Sequence, residues 1–220
     1  MDTTFDAIRE GLERLRTAKR PPKVFGAELH GFALNPLLSE SAVQKFEAKH
    51  RIRLPEDYRG FLINLGNGGA GPFWGVFKLG EMDDCHDVKK WKAGDGMVGT
   101  LSKPFPHTKP WNDVPELPEE PEDEDDEAEY EKALEAFDEI YWNPDNVNGA
   151  IPLCHEGCAY RDWLVVTGRE AGHMWHDART NQAGLYPISI GKQKRVTFLQ
   201  WYLHWLNEAL AKLPKPKRRG

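Results

Sequence analysis

The sequence predicts an α+β fold, and three observations carry that expectation. Helical periods occupy the first third of the chain, short strand-like segments separated by turn residues fill the last third, and an aromatic amphipathic helix closes it. The length of 220 residues suits one large domain or one domain with additions. A hydrophobic share of 40%, with eight Trp and ten Phe, is enough to fill a core. No apolar run approaches the length of a membrane-spanning helix, and the start "MDTTFDAIREGLERLR" carries acids where a secretory leader has an apolar stretch. Three cysteines, Cys85, Cys154 and Cys158, do not make an even disulfide framework. Together these features predict a soluble protein of a reducing cytoplasm, with no membrane partner.

Taken in order, Phe5, Ile8, Leu12 and Leu15 recur at three- and four-residue steps and predict a helix over 3–16. Pro21 and Pro22 then break the chain into loop or extended structure. A second helix is expected from Ser41, where "SAVQ" fits a capping box closed by Gln44, with Val43, Phe46 and His50 on one face. A third is expected from Pro55, which suits the first helical position because its missing N–H would find no partner there. Glu56 and Asp57 place negative charge at the positive end of that helix, and Leu54, Tyr58, Phe61, Leu62 and Leu65 form its buried stripe. Gly66 is expected to close it in the left-handed conformation. "WGVFKL" reads as a strand, "EMDDCHDVKKW" as a short helix and residues 93–112 as ordered loop. Around Glu129 an acidic run turns helical, with Tyr130, Leu134, Phe137 and Tyr141 as its stripe. "GAIPLCHEG", "YRDWLVVT" and "HMWHDA" then read as a strand meander, with "GREAG" as a hairpin turn and "LYPISI" as an edge strand that tolerates Pro187 only there. "TFLQ" is a capping box, and Phe198, Trp201, Tyr202, Trp205, Leu206 and Ala209 predict a helix stopped at Pro214.

The glycine-rich stretch "GNGGAG" does not read as a phosphate cradle. Such a cradle needs a strand, then glycines, then a helix N-terminus whose N–H groups meet the anion. Here the glycines follow a helix, and no Gly-Lys-Ser/Thr is present. Their expected role is a tight turn into the next strand. Cys85, His86, Cys154, His155 and Cys158 are ligand types, but the Cys-x3-Cys spacing lacks a second paired half and strand alternation parts Cys154 from His155. Small buried thiols and surface histidines are the plainer reading, so no metal and no cofactor is expected. His173 and His176 likewise fall on opposite sides of a strand, Trp175 reads as core, and Asp177 as a cap for the following turn. No nucleophile-elbow, zinc-protease or kinase motif is present, and Glu156, Asp162 and Glu170 read as solvated faces and turns. An enzyme without a motif stays as the third reading of function. The short basic tail over 212–220 lacks interleaved aromatics, so no nucleic-acid partner is expected.

The net charge of −6 hides an asymmetry. Residues 113–139 hold 15 acids and one base, a net of −14, which leaves the other 28 bases and 20 acids at +8. That segment cannot bury a core of its own, and its plain reading is a solubilising linker. Its sharper reading is a mimic of polyanion presented to a basic partner, which acidic residues attract and steer.

The order of the capped helix, "LPEDYRGFL", "NLGNGGAG", "WGVFKLGE", the meander, "HMWHDA" and "FLQWYLHWL" resembles the SUKH superfamily, which includes the Smi/Knr-like family. Leu54, Pro55, Asp57, Tyr58, Phe61, Leu62, Asn67, Gly68 and Gly69 match the family's Leu-Pro, Phe-Leu and Asn-Gly-Gly block, Trp175 and Asp177 its Trp-Asp strand, and Phe198, Leu199 and Trp201 its final helix. The resemblance covers roughly 41–210, and the N-terminal helical extension over 1–38 and the acidic insertion over 113–139 depart from it. It implies a single SUKH-like domain with its core over about 41–211 and a mostly antiparallel sheet packed by helices. It also implies a non-catalytic role: bacterial members of the toxin-immunity type bind and block a cognate toxin, and fungal members are regulatory scaffolds. The expected function is therefore an immunity protein that occludes a toxin with a basic surface, such as a nuclease-type effector, with a regulatory scaffold as the alternative. Under this expectation Glu119, Glu120, Glu122, Asp123, Glu124, Asp125, Asp126, Glu127, Glu129 and Glu131 contact the toxin.

Overall fold

A computed structural model describes residues 3–83, 88–90, 98–112 and 127–214. The elements are α1 (Thr3–Arg16), α2 (Ala27–His30), α3 (Glu40–His50), α4 (Glu56–Asn64), β1 (Glu81–Asp83), β2 (Val88–Lys90), α5 (Glu127–Tyr141), β3 (Ala150–Gly157), β4 (Tyr160–Val165), β5 (Met174–Asp177), β6 (Leu185–Pro187) and α6 (Phe198–Ala211). The fold is α+β. Its main sheet is antiparallel, in the order β3-β4-β5-β6.

Strand alternation gives this sheet two different faces. Trp163, Trp175 and Pro187 are cross-strand neighbours on one face, where Phe105 and His107 from the loop meet the Trp175 ring. Trp111 stacks between His107 and Tyr141, and so links that loop to the end of α5. On the other face, Leu164 pairs with Met174 and Asp162 with His176, and α6 lies over them through Trp201. Phe198 and Tyr202 of α6 pack on Phe61 of α4, and Phe198 also meets Tyr58. Gly11 of α1 sits where an added Cβ would touch Leu206 and Leu210, which lets α1 approach α6 closely. Full burial of an aromatic such as Phe198 contributes roughly 1.5–3 kcal/mol.

The end helices follow their sequence periods. Phe5, Ile8, Leu12 and Leu15 are buried in α1, and all six expected core residues are buried in α6. The capping box at Thr197 and Gln200 forms in both directions. The stripe of α4 is buried as expected, with Leu54 and Leu65 flanking it.

Several local expectations need correction. The N-cap of α3 is Ser39, whose side chain accepts from the Ala42 N–H, and Gln44 bonds Glu40 instead of closing a box at Ser41. Pro55 is the N-cap of α4, one position before the first helical residue. Gly66 is not left-handed. Its Cβ-free surface matters because an added Cβ would lie 2.7 Å from the Asn35 carbonyl oxygen. "WGVFKL" does not form a strand: Gly75 takes φ +98, and only Val76 bridges to Gly69. This segment still touches the sheet, because the Phe77 N–H bonds the Leu153 carbonyl on the free side of β3. "EMDDCHDVKKW" contributes the hairpin strands β1 and β2 where a helix was expected. Its polar sequence offers no apolar face to hold a helix against the core.

Candidate functional site

The Leu54–Gly69 block serves as a joint. The Leu54 N–H bonds the buried Glu47 carboxylate at 2.9 Å. Asp57 accepts the Leu199 N–H at 3.0 Å, so α4 supplies a carboxylate to the first turn of α6. Asn67 accepts the Leu79 N–H at 2.8 Å. Gly68 and Gly69 have φ of +75 and +101, and a Cβ at Gly68 would lie 2.4 Å from the Val76 carbonyl oxygen. The Tyr202 hydroxyl donates to the Ala70 carbonyl at 2.7 Å, and burial pushes the Tyr58 and Tyr202 hydroxyls above their ordinary pKa. Trp175 is fully buried. These residues hold α4, the glycine turn and α6 in register, and their chemistry is structural.

The chemistry gathers elsewhere, in a cleft of about 560 Å³ between α6 and the open side of β3 to β6. Three adjacent strands each supply one group to its floor. Asp162 of β4 and His176 of β5 are direct cross-strand partners. Glu156 of β3 lies at a bulge, where the register slips between His155 and Gly157. His176 Nδ1 is 2.9 Å from Asp162 Oδ1 and 3.1 Å from Glu156 Oε1. Trp201 of α6 donates its indole N–H to Asp162 Oδ2 at 2.8 Å. Tyr160 and Tyr186 bracket the imidazole, with ring centroids 5.8 and 5.1 Å from it. The cleft wall adds Phe25 and Phe73, whose rings meet edge to face, with Ile188, Ile190, His204, Glu208 and Lys212.

Two carboxylates around one imidazole shape the electrostatics. Burial works against the charged His176, but hydrogen bonds and charges from Asp162 and Glu156 outweigh it and push the imidazole up to about 10. Burial raises Asp162, with Glu156 adding to the rise and His176 opposing it. Two carboxyl groups and one imidazole thus share protons in a largely desolvated site.

The expected site residues fall apart in different ways. Glu119, Glu120, Glu122, Asp123, Glu124, Asp125 and Asp126 lie outside the described residues, as do Cys85 and His86. Glu129 and Glu131 are exposed on α5. Cys154 and His155 are both buried, on opposite sides of β3, so the expectation of a surface histidine is corrected for His155, whose Nε2 accepts the Ala159 N–H at 3.0 Å. Cys158 sits in the two-residue β3–β4 turn, where it and Ala159 take positive φ. Among the described residues, Glu156, Asp162 and His176 are the group of His, Cys, Asp or Glu close enough to hold a metal ion. His173 stands apart from them, 3.7 Å from Glu170. Asp162 and Glu170 are buried, so the expectation of solvated faces is corrected for both. Asp177 does cap its turn, bonding the Arg179 N–H and pairing with that guanidinium at 2.7 Å.

Sequence reasoning missed the triad because its members come from three strands. One signal was present: folding the chain about Arg169 in the "GREAG" turn brings Asp162 opposite His176. The bulge that delivers Glu156 has no comparable signature. Comparison with protein-family models, curated proteins and solved structures found no match to the chain.

Proposed function

We propose that this chain is a non-enzymatic immunity protein of the SUKH type, which binds a cognate protein toxin and neutralises it by steric and electrostatic occlusion. The order of the Leu54–Gly69 block, the Trp175 strand and the closing aromatic helix supports the reading. One observation carries it: the cleft combines an exposed apolar rim, with Phe25 62% and Tyr186 37% accessible, and a floor of carboxylates. That pairing suits a toxin loop bearing Arg or Lys, whose stem packs on the aromatic rim while its charge meets Glu208 at the cleft wall. The acidic segment acts at longer range. Its excess of 14 negative charges draws a basic toxin surface toward the chain and raises the association rate.

Binding to a toxin captured from the native organism with this chain as bait tests both parts. Phe25→Ala and Tyr186→Ala should each weaken affinity by about tenfold or more, equivalent to ~1.4 kcal/mol, mainly through faster dissociation. Neutralising Asp123 to Glu127 should slow association and flatten its salt dependence. Unchanged affinity and salt dependence in all these variants would sink this interface. Tight binding to a housekeeping complex, with no toxin inhibited, would favour a regulatory scaffold instead.

A further inference from the structure

We infer that Glu156, Asp162 and His176 form a binding site for one divalent first-row transition ion, such as zinc or manganese, at the floor of the cleft. This goes beyond toxin binding and does not depend on it.

The donor atoms are already spaced for a metal. Bonds of about 2.1 Å place neighbouring donors about 3.0 Å apart at right angles and about 3.4 Å apart at tetrahedral angles. His176 Nδ1 lies 2.9 and 3.1 Å from the two carboxylate oxygens, and all three donor atoms fall within 4.8 Å of one another. Nδ1 has a single proton to share between two carboxylates. A dication in its place bonds all three groups and offsets both negative charges. The imidazole nitrogen favours a transition ion over magnesium or calcium, which prefer all-oxygen sites.

The surroundings are built in the same sense. Trp201 holds the second Asp162 oxygen at 2.8 Å, so the carboxylate presents its other oxygen in a fixed direction. Tyr160 and Tyr186 restrain the imidazole from both neighbouring strands. The bulge in β3 brings Glu156 to the donor set of β4 and β5. Trp205, one turn beyond Trp201, lines the same cleft. The cleft gives a hydrated ion a path in, and its open side leaves room for water on the coordination positions the protein does not fill.

The test uses the untagged full chain, stripped with chelator and dialysed. Zinc is titrated calorimetrically, and cobalt is titrated as a spectroscopic probe. The site predicts one equivalent of each ion, with visible cobalt absorption that His176→Gln abolishes. Glu156→Gln and Asp162→Asn should each weaken zinc binding by at least ~10-fold. Asn at 162 keeps an oxygen to accept the Trp201 N–H. Glu156 stands at a bulge beside the cleft, so Glu156→Gln is the deciding variant if another fails to fold, as judged by the metal-free melting transition. Absence of stoichiometric uptake, or uptake equal in wild type and Glu156→Gln, overturns the site.

Discussion

At the residue scale, the same amino acid does different work depending on what surrounds it. Gly68 and Gly172 both take positive φ, yet a Cβ at Gly68 would strike the Val76 and Phe77 backbone while Gly172 faces open space. Gly172→Ala should therefore cost only the left-handed strain of about 1–2 kcal/mol. Gly68→Ala adds a backbone collision and should cost roughly 3 kcal/mol or more, or prevent folding. Urea denaturation of the two variants checks the contrast. His107 shows how packing sets a charge state. Burial holds its pKa down at about 4, with Arg179 adding to the fall and its bond to the Asn146 carbonyl opposing it. At this ring the native state thus binds less proton than the unfolded chain between pH 6.5 and about 4. Stability from the neutral ring is full above pH 6.5 and drains away as pH falls through that window. NMR titration should place the His107 midpoint well below the ordinary value, and His107→Gln should flatten the acid limb of the stability curve.

At the scale of elements, legibility followed the strength of the local pattern. Helices α1, α4 and α6 bury wide apolar stripes, so period alone located them. The strands β3 to β5 were legible as apolar runs between turn residues, and the "GREAG" connection does return the chain, with the Gly172 N–H bonding the Val165 carbonyl. Segments with weak patterns were misread. "WGVFKL" is short and mostly apolar like a strand, but Gly75 breaks its backbone and it ends as a cover for the edge of β3. On the far edge, Trp111 exchanges backbone hydrogen bonds with Leu185 and covers β6 in the same way. Such coverage blunts edge-to-edge aggregation and depends on contacts distant in sequence, which a local pattern cannot carry. The Asp57–Leu199 hydrogen bond, 142 positions apart in sequence, belongs to the same class. Asp57→Ala should cost about 1 kcal/mol by removing a cap from α6, and Asp57→Asn should recover part of it. Thermal or urea unfolding measures both.

At the scale of the whole molecule, the cleft and the end of α5 lie on different sides of the sheet. The cleft with Phe25, Tyr186 and Glu156 opens beside α6, on the His176 face. The end of α5, which continues the acidic segment, meets the sheet through Trp111 and Tyr141 near the Trp175 face. None of the described helices is long and apolar enough to cross a membrane. The segregation of charge was legible as a run of acids, whereas the cleft required the sheet to be assembled first. Short-range variants should change the dissociation rate, and charge variants the association rate. The sharpest test of occlusion is to titrate the activity of the purified toxic domain with the purified chain at low and high salt. Occlusion predicts stoichiometric, one-to-one inhibition that weakens as salt rises. A toxin that stays fully active at saturating chain concentrations in low salt would contradict it.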